Sequence, residues 1–344
     1  MDYNSLVRDT IKNLKPYVSA RDEFADVNNK NTFLDANENP FGYKWNRYPD
    51  PYQKKLKNAI STLKGVSIDQ ILLGNGSDEV LDLILRAFCN PGIDNIITLP
   101  PTYGMYKVLA AINNIENIEV LLTKAFGLNV NEILNVTNAK SKVLFLCSPN
   151  NPTGNSFSTE KIEKLLNNFK GLVVLDEAYI DFSTKKSWLN RLNEFPNLII
   201  TQTLSKAYGL AGIRLGICYA SPQIISILNK IKPPYNVNGL TQKKALKKLG
   251  KTNGVQKQVA SIVKQRKKLI HSLNKIAFIS KIHPTDANFI LVEVDDATER
   301  YNQLIDKKIV VRNRTLQPLC KNCLRITVGT KKDNEKLINA LKEL

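Results

Sequence analysis

The sequence predicts an α/β fold: a large domain with a mostly parallel sheet covered by helices on both faces, then a smaller α+β C-terminal domain. Three observations carry this. The runs ILLG, NIITLP, KVLFLCSP, GLVVLDEAY, NLIITQTLSKAY and IRLGICYA alternate with helical patterns between residues 71 and 220, and strands buried on both sheet faces read as continuous apolar runs. The texture changes after about Leu240, where helical patterns at Thr241–Leu249 and Val255–Leu273 precede ANFILVEV, a helix near Glu299–Asp306, IVVR, CLRITVG and a last helix from Asp333 to Leu344. The length, 344 residues, is enough for about two domains.

In chain order, residues 1–32 are polar with one short helical stretch and read as an arm. Loop signals (NENPFG, RYPDP) run to Pro51, and a helix follows over Tyr52–Leu63. The strand ILLG leads through GNGSDE into an apolar helix over Glu79–Phe88, with Ser77 suited to cap it. The large domain is placed at residues 33–245 and the small one at 246–344.

Composition narrows the function. With two histidines, His271 and His283, a three-histidine metal site cannot be built, and neither lies near a cysteine, an elbow serine or an acidic cluster. The net charge of +18 permits nucleic-acid binding. The lysines are spread through every segment, however, and the densest groups, near Lys243 and Lys264, lack interleaved aromatics, which reads as a solvated face and no nucleic-acid partner. No apolar run reaches the ~18 residues of a membrane helix, and no secretory leader is visible at Met1. Cys89, Cys147 and Cys218 sit in apolar runs, and Cys320-x-x-Cys323 gives only half of a four-thiolate zinc site, with no histidine pair following. These thiols suit a reducing cytoplasm.

Three loops at strand ends are rich in chemistry, and open α/β sheets bind ligands at such ends. In GNGSDE, glycines and a helix N-terminus make an anion site around Ser77 and Asp78, although a plain helix cap looks the same. In TLSKAYGLAGIR, Lys206 follows a strand among small residues. A lysine in a partly buried, cation-rich pocket becomes nucleophilic enough for a Schiff base, although a surface loop lysine is the ordinary alternative. Ser205 and Arg214 flank it and suit an anion. In GLVVLDEAY, Asp176 ends an apolar strand, where a carboxylate needs a cationic partner or serves as a helix cap, and Tyr179 lies three residues on. Together these parts match one molecule, pyridoxal 5'-phosphate: a phosphate, a protonated ring nitrogen and an aldehyde.

The motifs LDANENPFG, NRYPDP, GNGSDE, PPTYGMY, SPNNPTGN, DEAYIDF, SKAYGLAGIRLG, PPYNVN, ANFILVEV and CLRITVG run nearly end to end. Through them the chain resembles the fold-type I aminotransferases and, within these, the histidinol-phosphate aminotransferase family. The resemblance implies that Lys206 holds the cofactor covalently and shuttles the proton. Asp176 partners the ring nitrogen, Asn151 and Tyr179 donate to the ring oxygen, and Tyr103 stacks on the ring. The cofactor phosphate is expected on the Ser77–Asp78 backbone with Thr203, Ser205 and Arg214, and Tyr48 is expected to reach it from the other subunit of a homodimer. Tyr17, Asn37, Arg312 and Arg325 are expected around the substrate phosphate.

The implied reaction is ping-pong transamination in histidine biosynthesis. It converts L-histidinol phosphate and 2-oxoglutarate to imidazole-acetol phosphate and L-glutamate, and the reverse. Threonine-phosphate decarboxylases and aromatic aminotransferases share the cofactor residues and are the rival readings. A cofactor-binding regulator is the non-enzyme alternative, and it requires a helix-turn-helix domain for which the short arm has no counterpart.

Overall fold

Segments of four to seven residues, all but one of them apolar runs, become seven strands of one sheet: β1 Ile71–Asn75, β2 Asn95–Thr98, β3 Glu116–Glu119, β4 Ser141–Cys147, β5 Leu172–Asp176, β6 Leu198–Thr203 and β7 Leu215–Tyr219. Four more make a second sheet: β8 Ile279–Ile282, β9 Phe289–Val294, β10 Arg312–Asn313 and β11 Cys323–Thr327. The helices are α1 Asp9–Lys12, α2 Lys54–Lys64, α3 Ser77–Phe88, α4 Met105–Ile112, α5 Val130–Asn135 and α6 Thr159–Asn168. They continue with α7 Pro222–Ile231, α8 Gly239–Leu249, α9 Thr252–Leu273, α10 Ala297–Asp306 and α11 Lys331–Lys342. This computed structural model describes residues 3–18, 32–42 and 45–344. The part of the expected arm between residues 19 and 31 lies outside the described residues.

The large sheet has the order β1-β7-β6-β5-β4-β2-β3. Only β7 runs against its neighbours, and every other pairing is parallel. The reversal gathers unlike strand ends in one place. The carboxyl ends of β1, β4, β5 and β6 lie along one edge, and the amino end of β7 joins them there. Alternation along each strand feeds two cores. Leu144, Leu146, Val173 and Leu175 pack on one face, and Val143, Phe145, Leu172 and Val174 on the other.

The small sheet is antiparallel throughout, in the order β10-β11-β9-β8. Its outer face (Ile290, Val292, Leu324, Ile326) packs on Leu269 and Leu273 of α9 and Leu337 and Leu341 of α11. Its inner face (Phe289, Leu291, Cys323) joins the core of the large sheet. The outer and inner sets alternate by two along each strand, so residues 323 and 325 of β11 face the large domain.

Several expectations shift. β3 (ENIE) and β8 (ISKI) are half-exposed edge strands, and without an apolar run they left no strand signal. The expected strand IVVR shrinks to the two residues of β10, with Val310 77% exposed. Helix α3 opens at Ser77 rather than Glu79, and its cap is Gly76, not Ser77. No helix among the described residues is long and apolar enough to cross a membrane.

Candidate active site

Strand ends and a reversed neighbour bring distant residues together. Ser77, Asp78, Tyr103, Cys147, Asn151, Asp176, Ala178, Tyr179, Thr203, Ser205, Lys206, Ala211 and Arg214 line one cleft at the carboxyl edge of the large sheet. Nine of the cofactor positions expected from the sequence stand there along with Asp176 itself.

The anion end is built from backbone. Helix α3 begins without a side-chain cap, because Gly76 supplies none. Its first N–H groups therefore lack partners within the helix and carry the positive end of the dipole. Gly76 has φ +85, and a Cβ there would meet the Arg214 guanidinium 2.7 Å away. A Cβ on Gly216 would overlap the backbone of Gly76 and Ser77. The two glycines thus let the start of β7 pack directly on the turn before α3. Arg214, itself at φ 54, is thereby laid across the turn. Its guanidinium is 3.5 Å from Asp78 Oδ2, and the Tyr103 hydroxyl donates to Oδ1 of the same carboxylate at 3.0 Å. The Thr203 hydroxyl donates to the Leu215 carbonyl at 3.1 Å and lies 3.0 Å from the Ser205 hydroxyl. These contacts lock β6 to β7 at the cradle.

At the other end, Asp176 closes β5 in the interior, 4% exposed. It makes no salt bridge among the described residues. The Tyr106 hydroxyl donates to Oδ2 at 2.8 Å and the Ala178 N–H to Oδ1 at 3.1 Å. Burial pushes its carboxyl above the usual carboxylate range, and those two donors pull it back. A buried, largely uncompensated carboxylate calls for a cation, and a protonated ring nitrogen is one.

Lys206 lies between these ends, with Nζ 5.6 Å from the centre of the Tyr179 ring. Burial lowers its pKa first and the nearby Arg325 charge second, while Asp176 opposes them. A lysine so placed loses its proton more readily and becomes a better nucleophile and base. Tyr179 packs edge-on against Phe289 of the small sheet, centroids 5.1 Å apart. Burial holds its phenol protonated well above the ordinary value, so it remains a hydrogen-bond donor. Asn151 accepts from the Arg325 guanidinium, which stands 5.3 Å over the Phe289 ring. The small sheet thereby closes one side of the cleft. Arg312 is opposite Arg325 in register and is exposed.

Arg325 reaches the cleft through Asn151, whereas four expected residues do not line it within one chain, exposed Arg312 among them. Tyr17 is 75% exposed. Asn37 is exposed with φ 53, and it lines a separate surface groove with Tyr48. Tyr48 is half-exposed and stacks on Tyr235 at 4.4 Å. Tyr106 and Cys147 are not expected at the site from the sequence. Local pattern gives no signal for Tyr106, since Tyr103 precedes α4 and only Tyr106 lies in its first turn.

With this geometry in place, similarity decides the family. The chain matches aminotransferase class I and II over residues 30–341. The chain belongs to that family. This aminotransferase is 62% identical to the histidinol-phosphate aminotransferase of Flavobacterium psychrophilum over 99% of its own length and 98% of the relative's. Among solved structures, it superposes on the histidinol-phosphate aminotransferase of Clostridium acetobutylicum with TM-score 0.80 and 25% identity, covering 86% of this chain and 90% of the other. The enzyme of Sinorhizobium meliloti, solved in complex with pyridoxal-5'-phosphate, gives TM-score 0.80 at 23% identity, covering 86% and 82%. That last likeness speaks for the fold alone. In this aminotransferase the glycine cradle, the buried acid and the depressed lysine fit the three ends of the same cofactor.

Proposed function

We propose that this protein is a pyridoxal-phosphate-dependent transaminase that moves an amino group between L-histidinol phosphate and 2-oxoglutarate, the histidinol-phosphate step of histidine biosynthesis. One observation carries the substrate: identity of 62% to a histidinol-phosphate aminotransferase across essentially the whole of both chains. The cleft supports the chemistry.

Pyridoxal phosphate, when bound, supplies a carbonyl carbon that exchanges amino groups and a ring that accepts an electron pair. The start of α3, Thr203, Ser205 and Arg214 would hold its phosphate, and Asp176 would hold its ring nitrogen protonated. Tyr103 would cover the ring, while Asn151 and Tyr179 would donate to the ring oxygen. Lys206 would hold the group through its amine and would move the proton at the substrate α-carbon. Its lowered pKa suits both roles. Arg325 and Arg312 would receive the substrate's distal anion, with Asn151 fixing Arg325. Glutamate and 2-oxoglutarate would use the same ground with a carboxylate.

A homodimer with shared sites is part of this reading. Residues 32–52 put Leu34 (88%), Phe41 (91%), Trp45 (53%) and Tyr48 (51%) in solvent within one chain. Apolar groups collected in this way fit an interface, and this same stretch bears Asn37 and Tyr48, expected at the site of a partner subunit. The domain boundary expected at residues 245 and 246 is proposed to lie further on, along α9, where Val255 packs in the large core, Leu269 in the small one, and Ile262 against both. We place the reaction in the cytoplasm, which suits five free thiols.

Stopped-flow half-reactions of the holoenzyme with histidinol phosphate, phosphothreonine and phenylalanine test the function. Rapid amino transfer from histidinol phosphate is expected. Carbon dioxide release from phosphothreonine, without transfer from histidinol phosphate, would assign the decarboxylase instead. Sedimentation at micromolar concentration should give twice the chain mass, and a fully active monomer would reject the shared site.

A further inference from the structure

A third arginine shares the inner face of the small sheet, and no motif singled it out. In the hairpin β10–β11, Arg312 is directly opposite Arg325. Arg314 extends the pairing, its N–H donating to the Cys323 carbonyl at 2.8 Å. Side chains two apart on a strand lie on one face, so Arg312, Arg314 and Arg325 point the same way. The alternate positions, Leu324 and Ile326, fill the small domain's own core. The arginine face is the one that meets the cleft, as Phe289 beneath Arg325 and the Arg325–Asn151 bond establish.

None of the three makes a salt bridge among the described residues. The Nε atoms of Arg314 and Arg325 are buried and have no hydrogen-bond partner. Like charges paired across strands repel, and buried donors without acceptors are costly. A hairpin face with three arginines, two of them with a buried unpartnered Nε, and no acid in its sequence is incomplete without an anion. Burial lowers the proton affinity of Arg325 first and the Arg314 charge second, to about 10. After burial itself and Cys147, Arg325 and Arg314 also act on the Tyr179 phenol, so Arg314 looks into the same cleft.

We propose that Arg314 is a specificity-determining residue that completes a three-arginine site for a dianionic phosphate on the substrate. This rests on the function proposed above and assigns a division of labour within it. A carboxylate has two oxygens and one charge, and one guanidinium fork satisfies it. A phosphate monoester presents three oxygens and up to two charges and can engage further forks. Arg314 should therefore matter for the phosphorylated substrate and little for glutamate.

The test uses the full-length holoenzyme, in which the cofactor occupies its own phosphate cradle. Inorganic phosphate is titrated by calorimetry into wild type, Arg314→Gln, Arg314→Lys, Arg312→Gln and Arg325→Gln. Half-reactions with histidinol phosphate and with glutamate are followed by cofactor absorbance, and thermal melting checks the fold. Arg314→Gln should weaken phosphate binding about 10-fold or more and lower kcat/KM for histidinol phosphate about 10- to 100-fold, leaving glutamate within about twofold. Arg314→Lys should recover part of the phosphate affinity, because it restores charge without the fork. Unchanged phosphate affinity in Arg314→Gln, or equal losses with both amino donors, overturns the proposal. If Arg312→Gln and Arg325→Gln weaken phosphate binding while Arg314→Gln does not, only the role of Arg314 falls. If none of the three does, the phosphate pocket itself is misassigned.

Discussion

The Tyr106 hydroxyl donates to Oδ2 of Asp176 at 2.8 Å, where neither residue meets solvent appreciably. Tyr106 is stacked on Phe145 at 4.7 Å and meets Tyr103 edge-on at 5.5 Å. One rigid phenol thus ties the acid expected to hold the ring nitrogen to the aromatic expected to cover the ring. Tyr106→Phe keeps the packing and deletes the bond. With its principal opposing donor removed, burial should raise the Asp176 carboxyl further. A hydrogen bond to a charged group contributes about 1.5–3 kcal/mol. The variant should bind cofactor more weakly by a corresponding factor, and the pH titration of bound-cofactor absorbance should move. An unaltered titration curve would leave Tyr106 a packing residue only.

Lys206→Ala should lower turnover by about 10²–10⁴-fold or more, with the melting temperature nearly unchanged. In the proposed role the lysine is anchor and proton carrier at once, and among the described residues no second lysine lines the cleft. The absorbance band of covalently held cofactor should vanish while reversible binding through Arg214, Ser205 and the α3 N-terminus persists. Near-normal steady-state activity would remove Lys206 from its role.

Asp176→Asn should cost catalysis far more than binding. An amide cannot keep a ring nitrogen protonated, so electrostatic stabilisation is lost where charge develops, at about 10²-fold or more in kcat. Exchange of the substrate α-hydrogen with solvent, measured by NMR, is the direct readout. If that rate is unchanged, another group holds the ring proton.

Arg325→Ala should depress kcat/KM for glutamate and histidinol phosphate alike, because Arg325 is the half-buried arginine bonded to Asn151. Loss of one partner from a buried charge pair costs about 2–5 kcal/mol. Exposed Arg312 should matter mainly for histidinol phosphate. Single-turnover rates of the two half-reactions in each variant separate these roles. Equal losses in Arg312→Ala would defeat the division.

Stability should rise on the alkaline side because of Lys57. This residue of α2 is buried, and burial first and the Lys232 charge second push its pKa from 10.5 to about 8. Between those values the unfolded chain holds the proton more tightly than the folded one, so stability increases with pH from about 8 to 10.5. Below the folded value the contribution is fully lost, which amounts to about 3 kcal/mol. Lys57→Met should raise the urea midpoint at pH 7 and flatten that rise. A pH profile identical to wild type would show that the ammonium finds water in the folded state.

The sequence by itself determined the chemical parts and the order in which they are met. Lys206, Asp176 and the Ser77–Asp78 turn were legible because each follows an apolar strand, and buried parallel strands end where sheets bind ligands. The fold class was legible for the same reason: six of the seven strands of the large sheet are continuous apolar runs. Tertiary structure decided what local pattern cannot encode. The edge strands β3 and β8 have no buried face on both sides, and so they carry no apolar run. The reversal of β7 is a fact of pairing, yet it alone delivers Arg214 to the turn before α3. The bond from Tyr106 to Asp176 spans 70 positions, and nothing in PTYGMY says which of two tyrosines turns inward. Arg314 belongs to the arginine face only because Arg312 registers against Arg325, and a shift of one residue would have sent it to the opposite side.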